Sequence, residues 1–307
     1  MVKNQQFRRV CDQFVYFLRA SICIYLKEKR LNSRPIALLK RVCCTCWLGR
    51  NDRSGSAATI NQWVAEQTNN EVTQIVTKND IDDLTQLILV NAIYFKGDWL
   101  NKFYATYTRD EDFYVSPSET LKVKMMYLSE YLHCGVNEEL KCSAVELPYE
   151  GDNLRTFIVL PDQTATNLAE FEKKLSFDDL IDITETFRME SMKVKLWLPK
   201  FRLDEQLDLT KALSAMGMKD LFMNGAADLS GVDGTKELSV SGMLHRAVVD
   251  MNEVGTEAAA VTAVRIRGGG MIKMSSFRAD HPFLFFIQDR ATKSILFLGR
   301  LVKPPAI

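Results

Sequence analysis

The chain has 307 residues, of which 47% are hydrophobic, 10% aromatic and 25% charged, a composition that excludes a disordered, collagenous or repeat-array protein. Its 39 Lys/Arg balance 39 Asp/Glu, so nucleic acid is not an expected partner, because phosphate binding needs a surplus of cations. The balance is uneven along the chain: the first 57 residues hold twelve Lys/Arg against three Asp/Glu, and five of the seven cysteines.

Residues 1–57 read as an atypical basic, Cys-rich leader, poorly ordered and distinct from the domain that follows. The apolar run at 14–26 is interrupted by Arg19 and falls short of the roughly 20 apolar residues that a spanning helix needs. No small-residue cleavage site follows it, so neither a signal peptide nor a membrane segment is expected. Cys43-Cys44-Thr45-Cys46 contains a C-x-x-C spacing, but no second pair stands at zinc-site distance, and no metal is expected.

From residue 58 the pattern is that of one continuous domain. Ile60, Trp63, Val64, Val72, Ile75 and Val76 keep near-helical spacing and predict a helix over 58–77. The run LTQLILVNAIYF at 84–95 suits a strand covered on both faces. Further strands are predicted at 121–128, 143–148, 154–160, 193–198, 283–288 and 294–301, with helices at 167–174 and 205–216. The 193–198 segment alternates Lys, Val, Lys, Leu, Trp, Leu, which places its aliphatic residues on one face. Strands outnumber helices without alternating with them, so the fold class is α+β with large mixed or antiparallel sheets.

A search for catalysis finds little. His133, His245 and His281 sit in no zinc motif, and the chain has neither a G-x-S-x-G elbow nor a phosphate-binding loop. Gly268-Gly269-Gly270 lacks the spacing that cradles phosphate and reads as a surface segment. No enzyme and no cofactor is expected. Cys134 and Cys142 read as reduced thiols.

The stretch from Glu253 carries more information. Read with period two, Thr256, Ala258, Ala260, Thr262 and Val264 form a small uncharged face that can enter a sheet at little steric or desolvation cost. Arg265-Ile266-Arg267-Gly268-Gly269-Gly270-Met271 follows, basic and glycine-rich, as an exposed segment open to proteolysis would be. Because alanine is also the best helix former, an Ala-rich helix or an ordinary strand before a loop is the alternative reading of these residues.

Glu253 to Thr262 resembles the proximal hinge of the serpins, the serine protease inhibitor family, and Phe277 to Ile287 (FRADHPFLFFI) resembles their carboxy-terminal signature. NAIYFKGDW at 91–99, VELPY at 145–149, FIVLP at 157–161 and the residues Leu238 to Val240 and Leu244 to Ala247 resemble serpin strands in the same order. The likeness spans about 57–305, giving a serpin domain at 58–307 with a reactive loop at about 253–276. It implies a multi-sheet fold with peripheral helices and an exposed loop, truncated by the family's amino-terminal third. That truncation is expected to leave an unpaired strand edge beside the opening of the main sheet.

The resemblance further implies a suicide mechanism in a monomer: a serine protease attacks the loop, forms a covalent acyl complex, and the freed hinge inserts into the main sheet. The implied hinge residues are Glu253, Gly255, Thr256, Glu257, Ala258, Ala259, Ala260 and Thr262. Glu253 would pair with Lys200, Trp99 would stand where the loop enters, and Asn91 with His245 would be the polar pair that controls sheet opening. Family spacing puts the cleaved bond between Gly269 and Gly270; Arg267 suits a trypsin-type pocket and Met271 an elastase- or chymotrypsin-type one. The alternative function is a non-inhibitory relative, cut as a substrate or acting as a binding module. The family implies an extracellular location, with the cytoplasm as the alternative for a chain without a signal peptide.

Overall fold

The computed structural model describes residues 37–47, 53–163, 167–185, 189–234, 236–253 and 274–305, the first of these by backbone alone. In chain order the strands are β1 (Ala37–Trp47), β2 (Leu87–Gly97), β3 (Arg109–Ser116), β4 (Glu119–Asn137), β5 (Cys142–Pro148), β6 (Leu154–Pro161), β7 (Glu190–Pro199), β8 (Phe201–Asp208), β9 (Val240–Met251), β10 (Met274–Arg278), β11 (Phe283–Asp289) and β12 (Ile295–Leu301). The α-helices are α1 (Arg53–Gln67), α2 (Leu168–Lys174), α3 (Phe177–Glu185), α4 (Thr210–Ala215) and α5 (Ser230–Asp233). These residues divide into two units, one made of Leu38–Phe95 with Leu203–Asp250, the other of Lys96–Arg202 with Met251–Ile307.

The first unit is built on a sheet in the order β1-β2-β9-β8. β2 reads as an unbroken apolar run because both of its faces are covered. Ile88, Val90, Ala92 and Tyr94 pack with Ala57, Ile60 and Val64 of α1. On the opposite face Leu89 meets Leu213 of α4 and Met243, while Leu87 meets Leu238 and Val240. β2 and β9 are direct neighbours in parallel register, from Leu87 opposite Val240 to Phe95 opposite Val249.

Three expectations change here. The helix predicted over 58–77 ends at Gln67, because Asn69 and Asn70 turn the chain with φ of 53° and 63°. Val72, Ile75 and Val76 are fully buried all the same, in a segment whose backbone Asn61 holds. Its Oδ1 accepts from the amides of Ile75 (2.8 Å) and Val76 (3.0 Å), and its Nδ2 donates to the Val76 carbonyl (2.7 Å). The predicted helix at 205–216 is divided: β8 runs to Asp208, whose carboxylate accepts from the Thr210 amide, and only Thr210–Ala215 is α-helical. The predicted bare edge of β2 is occupied, because β1, which lies inside the stretch read as a poorly ordered leader, pairs there.

The second unit carries an eight-stranded sheet in the order β10-β7-β4-β5-β6-β11-β12, with β3 paired to β4. β4 extends well past the predicted 121–128. It meets β3 through 119–125, β7 through Met125 to Cys134, and β5 through Cys134 to Asn137. Its core joins Phe157 and Phe286, stacked at 4.9 Å, to Leu168 and Phe171 of α2 and Leu180 and Ile183 of α3. A buried Arg155 is compensated by Glu146 at 3.2 Å and by the side-chain amide oxygen of Gln288, as a buried cation requires. Cys134 and Cys142 are free and buried, and burial pushes their thiols up to about 11 and about 12. They therefore stay protonated at neutral pH and are poor nucleophiles.

Among the described residues no helix is long and apolar enough to cross a membrane, and no group of three or more His, Cys, Asp or Glu could hold a metal ion.

Candidate functional site

Asn252 and Glu253, the two residues that follow β9, are fastened by a clamp within the second unit. The Trp99 indole donates from Nε1 to the Asn252 carbonyl at 2.9 Å, so the ring fixes the chain one residue before Glu253. Trp99 is itself immobilised. It stacks on Tyr149 at 4.4 Å and 13°, Phe103 meets its edge at 6.3 Å, and a β-bridge pairs the backbones of Trp99 and Tyr149. Tyr149 is buried in turn and its hydroxyl shares a 2.7 Å hydrogen bond with Thr156. Stacking of this kind contributes roughly 0.5–1.5 kcal/mol beyond the area it buries.

Glu253 is only 6% exposed, so its charge must be compensated. One carboxylate oxygen takes the Lys200 ammonium at 2.8 Å and the other accepts from the Thr108 hydroxyl at 2.9 Å. Lys200 follows β7 directly, and its amide donates to the Lys124 carbonyl, which fixes the origin of the cation. Burial alone would raise the Glu253 pKa. The bond from Lys200, the residue's own amide, the Thr108 hydroxyl and the Lys200 charge outweigh it and hold the carboxyl below its ordinary value.

A second polar device lies in the first unit, where the register sets Asn91 of β2 opposite His245 of β9. Both are buried, on the face of the strand pair opposite α1. The Asn91 amide nitrogen donates to His245 Nδ1 at 3.2 Å, which requires a lone pair there and places the imidazole proton on Nε2. Burial pushes the imidazole pKa down, against an opposing hydrogen bond with the Asn91 backbone, so the ring is held neutral.

Of the residues singled out from sequence, the structure gathers Trp99, Lys200 and Glu253 into one cluster and Asn91 with His245 into another. Gly255, Thr256, Glu257, Ala258, Ala259, Ala260, Thr262, Arg267, Gly269, Gly270 and Met271 lie outside the described residues. Sequence reasoning missed Thr108. A threonine after an aromatic-rich turn gives no sign that it will meet a glutamate 145 positions away. Tyr149 closes the VELPY motif, and its stacking role had no separate signal.

The family model described as Serpin (serine protease inhibitor) matches residues 49–304. The leukocyte elastase inhibitor of Bos taurus is 43% identical over 249 residues, covering 80% of this chain and 66% of the relative. The protein of the same name from Xenopus tropicalis is 44% identical over 248 residues, covering 80% and 65%. The crystal structure of uncleaved ovalbumin matches with a TM-score of 0.77 at 28% identity, covering 89% of this chain and 76% of that one. The chain thus spans just under two thirds of the length of the curated relatives it matches.

Proposed function

This chain belongs to the serpin family, and from that premise we propose that it inhibits a serine protease by offering the segment after Glu253 as bait and then taking the cut segment into the β1-β2-β9-β8 sheet. The supporting observation is the direct parallel pairing of β2 and β9, with β9 running within two residues of Glu253. A segment folded back from the end of β9 runs antiparallel to both strands. Inserted between them, it replaces one parallel ladder by two antiparallel ones, which are the more stable kind. Each ladder bond gained contributes about 1 kcal/mol, so a strand of roughly ten residues supplies a large net driving force once cleavage frees its end. The small uncharged face from Thr256 to Val264 keeps the cost of entry low.

In this reading the protease serine attacks the scissile carbonyl, the peptide bond breaks as the amine leaves, and the acyl ester is carried away before water can hydrolyse it. Trp99, Thr108 and Lys200 hold the hinge at the top of its travel, and the Asn91–His245 bond has to part as β2 and β9 separate. Spacing places the cut at Gly269–Gly270. The names of the two relatives direct attention to an elastase-type target, whose small apolar pocket takes Met271 better than Arg267.

The test is to mix the protein with trypsin-, chymotrypsin- and elastase-type proteases and look on a denaturing gel for an adduct at the summed mass. The melting temperature is then compared before and after loop cleavage. The expected result is an adduct with at least one protease and a rise in melting temperature. Cleavage that gives no adduct and leaves the melting temperature unchanged would mean that the chain is a substrate only.

A further inference from the structure

The outward face of the β10-β7-β4 ribbon does something the hinge clamp does not explain. Val194, Leu196 and Leu198 of β7 are fully buried, so by strand alternation Lys193, Lys195 and Trp197 point outward. The register extends each of them into a row across the three strands. In one row Trp197 sits 5.1 Å from the Tyr127 ring, with the Arg278 guanidinium over it at 4.9 Å. Tyr107 continues this ladder onto Tyr127 at 6.3 Å, and Tyr104 onto Tyr107 at 6.0 Å, each of these two tyrosines 53% exposed. In the far row Lys193 lies over Tyr131. The middle row is Ser129, Lys195 and Ser276. Arg278 and Lys193 are balanced by Glu111 and Glu130, whereas the Lys195 ammonium has no hydrogen-bond or ion-pair partner among the described residues.

Exposed Tyr104, Tyr107, Tyr131 and Arg278 with a half-buried Trp197, around a lysine that has no ion-pair partner among the described residues, make the composition of a protein-binding surface rather than of a solvated face. The ends of the 254–273 segment identify the occupant. Glu253 is pinned at Lys200, and Met274 enters the sheet opposite Lys193, seven residues back along the same chain. At about 3.3 Å per residue the two anchors are roughly 23 Å apart. A protease of about 230 residues has a radius of gyration of roughly 17 Å, so a body gripping the segment between those anchors is wider than the ribbon. The other face of the ribbon is filled by the core. The turn that presents Tyr104 and Tyr107 also leads directly into Thr108, the hinge contact.

We propose that this face, centred on Lys195 and edged by the tyrosine ladder, is a docking surface for a carboxylate-bearing patch beside the active site of the protease that cuts the segment. The proposal rests on the inhibitor reading above and adds a determinant of protease choice outside the cleaved sequence. The test compares wild type, Lys195→Glu and Tyr104→Ala with trypsin-, chymotrypsin- and pancreatic-elastase-type enzymes, measuring the second-order rate of loop attack. A synthetic 254–273 peptide serves as the control without a surface. For at least one protease Lys195→Glu should slow attack about tenfold or more at low salt and about threefold or less in 0.5 M salt, with Tyr104→Ala slower by a salt-independent factor. Both variants should melt as wild type does. Rates within about twofold of wild type for all three enzymes would overturn the proposal. Trapping is read separately from the gel adduct: if none forms, the inhibitor reading falls, and the ratio of attack rates still decides for or against docking.

Discussion

Two buried polar devices, one in each unit, differ in electrostatic character. The Glu253 clamp in the second unit is a charge-assisted arrangement set against a stacked aromatic pair. The Asn91–His245 contact in the first unit is a single neutral hydrogen bond between buried side chains. The clamp has several partners and can lose one; the Asn91–His245 contact is a single side-chain bond, and the imidazole accepts it only while Nδ1 stays unprotonated. Removing one partner should therefore cost the clamp only part of its stabilisation, whereas the Asn91–His245 contact is lost whole. The same contrast separates the two devices by pH, because a carboxylate and an imidazole titrate in different windows.

The comparison breaks most directly at Trp99. Trp99→Ala removes the stacking on Tyr149, the edge contact of Phe103 and the bond to Asn252, and should lower the free energy of unfolding by about 3–5 kcal/mol in urea denaturation. Trp99→Phe keeps a ring and loses the donor, so about 1 kcal/mol is expected from the hydrogen bond. A Trp99→Ala cost no larger than that of Trp99→Phe would show that the stack carries nothing. Next comes Lys200→Met, which leaves a buried carboxylate with Thr108 and its own amide; because Lys200 is about a third exposed, the cost should be about 2 kcal/mol rather than that of a fully buried pair. Adding Glu253→Gln should recover much of it, and additive effects in the double-mutant cycle would mean that the two residues are not coupled. Thr108→Val comes third, at about 1 kcal/mol. Its loss should vanish in the Glu253→Ala background, where no carboxylate is left to accept the bond.

Much of the second unit's sheet could be read from sequence, because β5, β6, β11 and β12 are short apolar runs with sharp polar ends. The alternation at Lys193 to Leu198 gave the buried face of β7 directly. What escaped was set by long-range satisfaction rather than by local pattern. Val72, Ile75 and Val76 have helical spacing and complete burial, yet two left-handed asparagines and the side chain of Asn61 put them in an irregular strap. At 205–216 the sheet claimed the first half, where Gln206 reaches the Ile75 carbonyl, and left the helix one short stretch. The site divides the same way. The meeting of Glu253 with Lys200 and of Asn91 with His245 followed only from the family resemblance, since no periodicity links residues so far apart, and Thr108 had no signal at all.

The smallest effect sharpens the comparison further. His245 is held below its ordinary pKa, so between pH 6.5 and its folded value the unfolded chain binds the extra proton and the folded chain does not. Its contribution is therefore complete above about pH 6.5 and is lost as the pH falls towards the folded value. At pH 6 the loss is under about 1 kcal/mol, by the linkage of a single group. Glu253 behaves differently. Its depressed carboxyl contributes fully above about pH 4.5, and that contribution disappears only as the pH falls through its lower folded value. Melting curves of wild type, His245→Gln and Glu253→Gln between pH 8 and 3 should separate the two windows. The gap between wild type and His245→Gln narrows or reverses from about pH 6.5 downward, while the gap to Glu253→Gln holds until about pH 4.5. A His245→Gln profile parallel to wild type from pH 8 to 5 would mean that the imidazole is not held neutral. The strand pair would then have to be fastened by its backbone ladder and packing alone.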